Sequence, residues 1–397
     1  MERSYSYILS RHLAEDRQML FVSGPRQVGK TTLARLHSDD YFDWDNQNHQ
    51  KIILAGPDAV AEYCKLPILQ DKPTVIAFDE LHKYPNWKQF LKGFFDTYEN
   101  QCRIIVTGSA RLDIYRHGGD SLMGRYFPYR MHPLSVGELL NTEQPKLECI
   151  SKPKQIADKD WDCLWTHGGF PEPYLKNSPR FSTRWQRLRT ERLFKEELRD
   201  ISRAQDFALL EILARMMSER SGEQIVYANL AQDLQVAPHT IKAWIQTLTS
   251  VYYGFLLRPW FKNINTAIKK EPKWYLRDWA TIKSPGKRAE TFAACHLLKS
   301  VEHWTDLGLG DFELHYIKDK QKKEVDFLVV KNQQPWFLVE VKHAETRLSP
   351  NLAHFQKLTG APHAFQMVMA LPFTARNPFE YSNPIVVPAR TLLSQLP

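Results

Sequence analysis

The chain has 397 residues, more than one ordinary domain holds, which predicts two or three domains. Its 43% hydrophobic content suffices for folded cores, yet no apolar run approaches the roughly 18 residues of a transmembrane helix, so no membrane association is expected. A formal net charge of +8 permits a nucleic-acid partner, and Cys64, Cys102, Cys149, Cys163 and Cys295 are too scattered for a disulfide framework or a zinc site. The first residues, Met1-Glu-Arg-Ser-Tyr-Ser-Tyr, carry no signal-peptide core, and a cytoplasmic location is expected.

Residues 1–16 read as a short helix or arm that leads into an apolar strand, Gln18-Met-Leu-Phe-Val-Ser23. Gly24-Pro25-Arg26-Gln27-Val28-Gly29-Lys30-Thr31-Thr32 follows, and Thr32–His37 reads as the start of a helix. This is the phosphate-binding pattern G-x-x-x-x-G-K-[ST] between the strand and the helix it requires. The two glycines let successive backbone N–H groups face one anion, with the helix N-terminus behind them. Lys30 would reach the β- and γ-phosphates of ATP, and Thr31 would ligate Mg²⁺.

Tyr41–Asp45 reads as a second strand, and His49–Tyr63 as helical with a break at Gly56-Pro57. Thr74–Phe78 is an apolar strand that ends in Asp79-Glu80. Acids at the end of a buried strand are costly unless they have a task. Asp79 would hold the Mg²⁺ water shell, and Glu80 would polarise the attacking water. Lys88–Tyr98 is an amphipathic helix with Phe90, Leu91, Phe94 and Phe95 on one side, and Arg103–Ser109 is a further strand ending in small polar residues. Ser121–Arg125 precedes another strand-like run, Tyr126–Met131. Strands alternating with helices predict an α/β fold with a parallel sheet covered on both faces, and nucleotide at the carboxyl ends of the strands.

This order resembles the AAA+ ATPases. The resemblance implies a Walker A loop at Gly24–Thr32, a Walker B pair at Asp79-Glu80, Ser109 or Thr107 as a γ-phosphate sensor, and Arg125 as an arginine finger of a homo-oligomer. An arginine at 125 could equally pair with an acid of its own domain. Beyond His132-Pro-Leu134, residues 141–160 are polar with two prolines and read as a connection, and Gly168–Pro173 is turn-rich. Phe181–Ala204 reads as a long solvated helix of mixed charge. Gly24–Thr31, Phe78–Leu81, Thr107–Ser109, Gly124-Arg125, His132–Leu134 with Glu138, and Gly169–Glu172 together resemble the AAA-type ATP-binding proteins of bacteria and archaea that carry a C-terminal domain of unknown function.

Gln224–Leu234 and His239–Leu248 read as helices joined by a turn at Gln235–Pro238, with Ile241, Trp244, Ile245 and Leu248 on a core face and Thr240, Lys242 and Gln246 outward. That is a helix-turn-helix layout, and Tyr252–Leu257 resembles the strand opening a wing. DNA contact and a packing role are both compatible with it. Arg258–Arg288 is dense in basic residues with Trp260, Phe261, Trp274, Tyr275 and Trp279 between them, as suits phosphate contact with stacking or a solvated loop over an aromatic core.

Glu324–Val330 and Trp336–Lys342 flank a polar turn and predict a hairpin. Helical Glu290, then Asp326, then Glu340-x-Lys342 resembles the PD-(D/E)XK nuclease core, an α/β restriction-endonuclease-like fold. The resemblance implies that Glu290, Asp326 and Glu340 bind Mg²⁺ and that Lys342 orients water or steadies charge. The expected organisation is an ATPase domain over 1–140, a helical linker over 141–204, a winged helix-turn-helix over 205–280 and a nuclease-like domain over 281–397. The expected function is Mg²⁺-dependent ATP hydrolysis coupled to DNA or RNA, with a nucleotide-controlled switch on an inactive nuclease-like fold as the alternative.

Overall fold

A computed structural model describes residues 3–108, 122–140, 148–198, 207–260 and 271–397. Contacts divide the chain into two units, the first ending at Pro133 and the second beginning at Leu134.

The first unit is built on a parallel sheet whose strands stand in the order β2-β3-β4-β1-β5. They are β1 (Met19–Ser23), β2 (Asp40–Asp43), β3 (Thr74–Asp79), β4 (Cys102–Thr107) and β5 (Tyr126–Arg130). Every residue of β1 is buried, as its unbroken apolar run requires of a strand covered on both faces. β2 ends before the expected Asp45, because Asp45 donates its N–H to Asp43 Oδ1 at 2.9 Å and turns the chain. The helix α5 (Trp87–Tyr98) buries Trp87, Phe90, Leu91, Phe94 and Phe95, the face its periodicity predicts. Phe78 of β3 meets Phe90 and Phe94 edge-on. The N-terminal segment is the helix α1 (Ser4–Glu15), held to β5 where Tyr5 OH donates to the Arg130 carbonyl at 2.9 Å and where His12 and Tyr129 hydrogen-bond at 2.9 Å.

The second unit opens with α6 (Val136–Leu140), and its Glu138 is buried against the equally buried Lys299. The long expected helix begins at Pro179 and changes to wider turns over Leu193–Leu198; its remainder, with Arg199 to Ala204, lies outside the described residues. Tyr227–Asp233 and Pro238–Ser250 are helical, and Ile241, Trp244, Ile245 and Leu248 are buried. β6 (Gly254–Leu257) pairs antiparallel with β7 (Lys273–Leu276).

A mixed sheet in the order β12-β11-β10-β9-β8 completes the unit. β8 (Phe312–Lys318), β9 (Glu324–Lys331) and β10 (Gln334–Lys342) are antiparallel, while β11 (His363–Val368) and β12 (Ile385–Pro388) continue parallel from β10. The predicted polar turn narrows to Asn332 and Gln333, both left-handed at φ 48° and 64°, the conformation a two-residue hairpin loop demands. The helix α7 (Pro285–Asp306) buries Phe292, Leu297, Val301 and Trp304 among Phe327, Val329, Phe337 and Val339. The helix α8 (Pro350–Thr359) packs Leu352 and Phe355 against Leu328 and Leu338 on the other face.

Of the two readings of Arg258–Arg288, the aromatic core holds for three of its rings. Trp274 and Tyr275 lie on β7, which is buried along its whole length, and they and Trp279 are at most 1% exposed. They belong to the core, and stacking on exposed bases is not open to them. Phe261 lies outside the described residues.

Candidate functional site

At the carboxyl end of β1 the chain turns through Gly24 at φ 146°, Gln27 at φ 63° and Gly29 at φ 107°. A side chain at residue 24 would meet the Met131 carbonyl oxygen at 2.2 Å, so glycine is dictated there by packing as well as by φ. The loop Pro25-Arg26-Gln27-Val28 is fixed from behind by Arg3, which donates to the Val28 carbonyl at 2.5 Å and to the His132 carbonyl at 2.6 Å. Arg3 escapes sequence reasoning, since nothing in its neighbours signals that a terminal arginine is buried.

Lys30 is buried, and its Nζ donates to the carbonyls of Gly24 and Pro25 at 2.8 Å each. The ammonium therefore lies inside the loop's concavity. Thr31 Oγ1 donates to Asp79 Oδ2 at 2.7 Å, and Tyr41 OH donates to the same oxygen at 2.6 Å. Burial, and then that hydrogen bond, push the Tyr41 phenol well above its ordinary range. Thr107, at the end of β4, hydrogen-bonds Asp79 Oδ1. Ser109, the other candidate sensor, lies outside the described residues.

The parallel register explains the gathering. β4 stands between β1 and β3, so the ends of three strands place the loop, Thr107 and Asp79 side by side. Glu80 follows in a left-handed conformation at φ 55°, uncommon for a residue with a side chain and typical of functional turns. Its Oε2 lies 3.3 Å from Lys83 Nζ, which also contacts Asp45 at 2.6 Å. Arg125 makes a two-pronged contact with Asp96 of its own unit, at 2.6 and 2.9 Å.

The donor set fits a Mg²⁺–nucleotide. A hydroxyl and a carboxylate that would share the ion's shell already touch, and a lysine is held within the loop that would take the phosphates.

In the second unit, the pairing of Phe327 with Val339 sets Asp326 beside Glu340. Asp326 Oδ2 accepts the Val341 N–H at 2.8 Å, and Lys342 donates to Glu340 Oε1 at 2.9 Å. Burial first, and then the charges of Glu290 and Glu340, push the Asp326 carboxyl well above the usual carboxylate range. Glu340 is also raised, by burial first and by Glu290, against the pull of Lys342. The three predicted acids are thus near enough to act on one another. Among the described residues, however, no His, Cys, Asp or Glu group closes to metal-holding geometry.

Lys273, the first residue of β7, stands among these acids. Its Nζ is 3.1 Å from Glu290 Oε1 and 3.8 Å from Asp326 Oδ1, and it pairs closely with Glu324. Burial works against its charge, but Glu290, Asp326 and Glu324 hold it raised. Tyr275 OH also donates to Glu290 Oε1, at 2.6 Å. Sequence reasoning counted Lys273 only as one of many basic residues. The available signal was a lysine leading an aromatic and apolar strand, where a charge needs partners.

Comparison with known proteins finds three matched regions along the chain. Residues 16–140 match a family described as "AAA domain", residues 158–284 a domain of unknown function (DUF8612) and residues 285–390 another (DUF4143). An uncharacterized protein of Mycobacterium tuberculosis is 24% identical over 387 residues, 95% of this chain and 81% of that protein. One from Methanocaldococcus jannaschii is 21% identical, covering 85% and 77%. Among solved structures, the Aeropyrum pernix ORC1 protein in complex with DNA aligns over 74% of this chain and 93% of its own, at 10% identity and a TM-score of 0.33. Among the described residues no helix is long and apolar enough to cross a membrane. The three family matches support an AAA-type P-loop ATPase domain over residues 16–140, followed by domains of unknown function.

Proposed function

We propose that the first unit binds Mg²⁺–ATP and hydrolyses it, and that the second unit engages DNA or RNA under its control. The observation that carries the first half is the meeting of Lys30, Thr31, Asp79 and Thr107 at three adjacent strand ends. Gly24 to Thr32 would wrap the phosphates, Thr31 and Asp79 would hold the ion, and Thr107 would sense the γ-phosphate. Glu80 would orient and deprotonate the attacking water. Bound Mg²⁺ would neutralise charge that develops on the phosphates.

For the second half, the support is local. The helices Tyr227–Asp233 and Pro238–Ser250 are followed by the β6–β7 pair, as in a winged helix-turn-helix. Lys242 and Gln246 are exposed on the second helix. The test is ATP turnover by the full chain with and without Mg²⁺ and nucleic acid. Turnover should require Mg²⁺, rise with nucleic acid and lose that rise at high salt. Turnover indifferent to DNA and RNA at low salt would remove the nucleic-acid half and leave a nucleotide-controlled interaction protein.

A second reading is favoured by the convergence of Glu290, Asp326 and Glu340 on a helix and a mixed sheet. On it, the second unit has the nuclease-like fold, these acids take Mg²⁺ or Mn²⁺, and Lys342 steadies charge beside Glu340. Divalent ions should raise the melting temperature of the full chain, and Asp326→Ala should remove that rise. Cleavage of DNA that survives Asp326→Ala would assign it to a contaminant.

A further inference from the structure

Four carboxylates and three ammonium groups meet around the end of β7. Glu290, Glu324, Asp326 and Glu340 face Lys273, Lys318, which is 3.1 Å from Glu324, and Lys342. Lys318 and Lys342 stand at the rim, with side chains 30% exposed each. Lys273 stands inside, with a side chain 5% exposed. The distribution is lopsided. Lys273 leans toward Glu290 and Glu324 and away from Asp326, and Glu340 keeps its buried Oε2 without any hydrogen-bond donor on a side chain only 9% exposed. A buried carboxylate oxygen left bare is unfavourable, and the cluster retains one more negative group than positive.

We propose that Lys273 is the resident cation of this cluster and gates it: a divalent ion enters between Asp326 and Glu340 only by displacing the Lys273 ammonium. The inference rests on the cation reading of the second unit given above. A lysine brings one charge on a flexible stem, with three donors. A divalent ion brings two charges and collects oxygens from several directions, so it would also satisfy Glu340 Oε2. The two cannot occupy the cluster together, because both draw on Glu290 and Asp326.

The arrangement is tested on the full chain with Mn²⁺ alone, without nucleotide, by counting bound Mn²⁺ in electron paramagnetic resonance and by thermal shift. Wild type should bind weakly. Lys273→Met should bind at least tenfold more tightly and gain in melting temperature with Mn²⁺, and adding Asp326→Asn should cancel the gain. Lys273→Gln serves the same purpose should the methionine variant fail to fold. Equal, Asp326-dependent Mn²⁺ affinity in wild type and variant would overturn the gate and leave the cation reading standing. No Asp326-dependent binding in either protein would overturn the cation reading, and the gate with it.

Discussion

The two units place charge at strand ends in opposite ways. In the first, Lys30 donates to the Gly24 and Pro25 carbonyls, and Asp79 accepts from the Thr31 and Tyr41 hydroxyls. In the second, Glu290, Glu324 and Asp326 already hold Lys273. A carboxylate held by hydroxyls keeps its charge for a cation, whereas one closed by an internal ion pair must first give that pair up. Acids at a strand end therefore indicate a ligand only together with what neutralises them.

Lys30→Ala breaks this contrast most severely. The loop loses its ammonium, and ATP affinity should fall by on the order of 100-fold or more, as measured by titration calorimetry. Unchanged affinity in a folded variant would remove the loop from the account.

Glu138→Gln probes an internal pair of the second unit. Its partner Lys299 is 1% exposed and would lose this carboxylate in the core of the second unit. A loss of about 1–3 kcal/mol in denaturant unfolding is expected, with ATP affinity intact. A loss below ~1 kcal/mol would mean that the pair is solvated.

His296 sharpens the comparison through pH. Nδ1 lies 2.8 Å from the Phe292 carbonyl, and Nε2 accepts the Val136 N–H at 3.2 Å, so the ring is held neutral. Burial pushes its pKa down to about 3. The unfolded chain takes up this proton below pH ~6.5 and the folded chain does not, so stability is full above that pH and is lost as pH falls toward 3. The slope should be on the order of 1.4 kcal/mol per pH unit, and His296→Gln should flatten it. An unchanged slope would assign the acid sensitivity to other groups.

Arg125→Ala should change least. Its contact with Asp96 is at the surface, so the melting temperature should barely move. Turnover should fall only where subunits share nucleotide sites, and mixing with Glu80→Gln protein should then restore activity. No recovery, with a monomer in light scattering, would reject the finger.

The first site was largely legible because its chemistry is local: one loop supplies glycines, lysine and threonine in sequence, and one strand end supplies the acids. For Arg125 the sequence left a finger and a pairing within its own domain both open, and its partner Asp96, on another element, is a tertiary fact. In the second unit Glu290, Asp326 and Glu340 could be named from their spacing. Lys273 could not, because its three partners come from α7 and β9, far along the chain. For Trp274 and Tyr275 the sequence offered an aromatic core and a stacking surface alike, since basic residues are interleaved with the rings.

The most direct measurement is ATP turnover by Glu80→Gln beside its nucleotide affinity. The amide keeps the shape of the left-handed turn and cannot serve as a base, so ATP should bind as in wild type while hydrolysis falls by roughly 10²–10⁴-fold. Wild-type turnover in this variant would contradict the role given to Glu80, and with it the catalytic reading of the first unit.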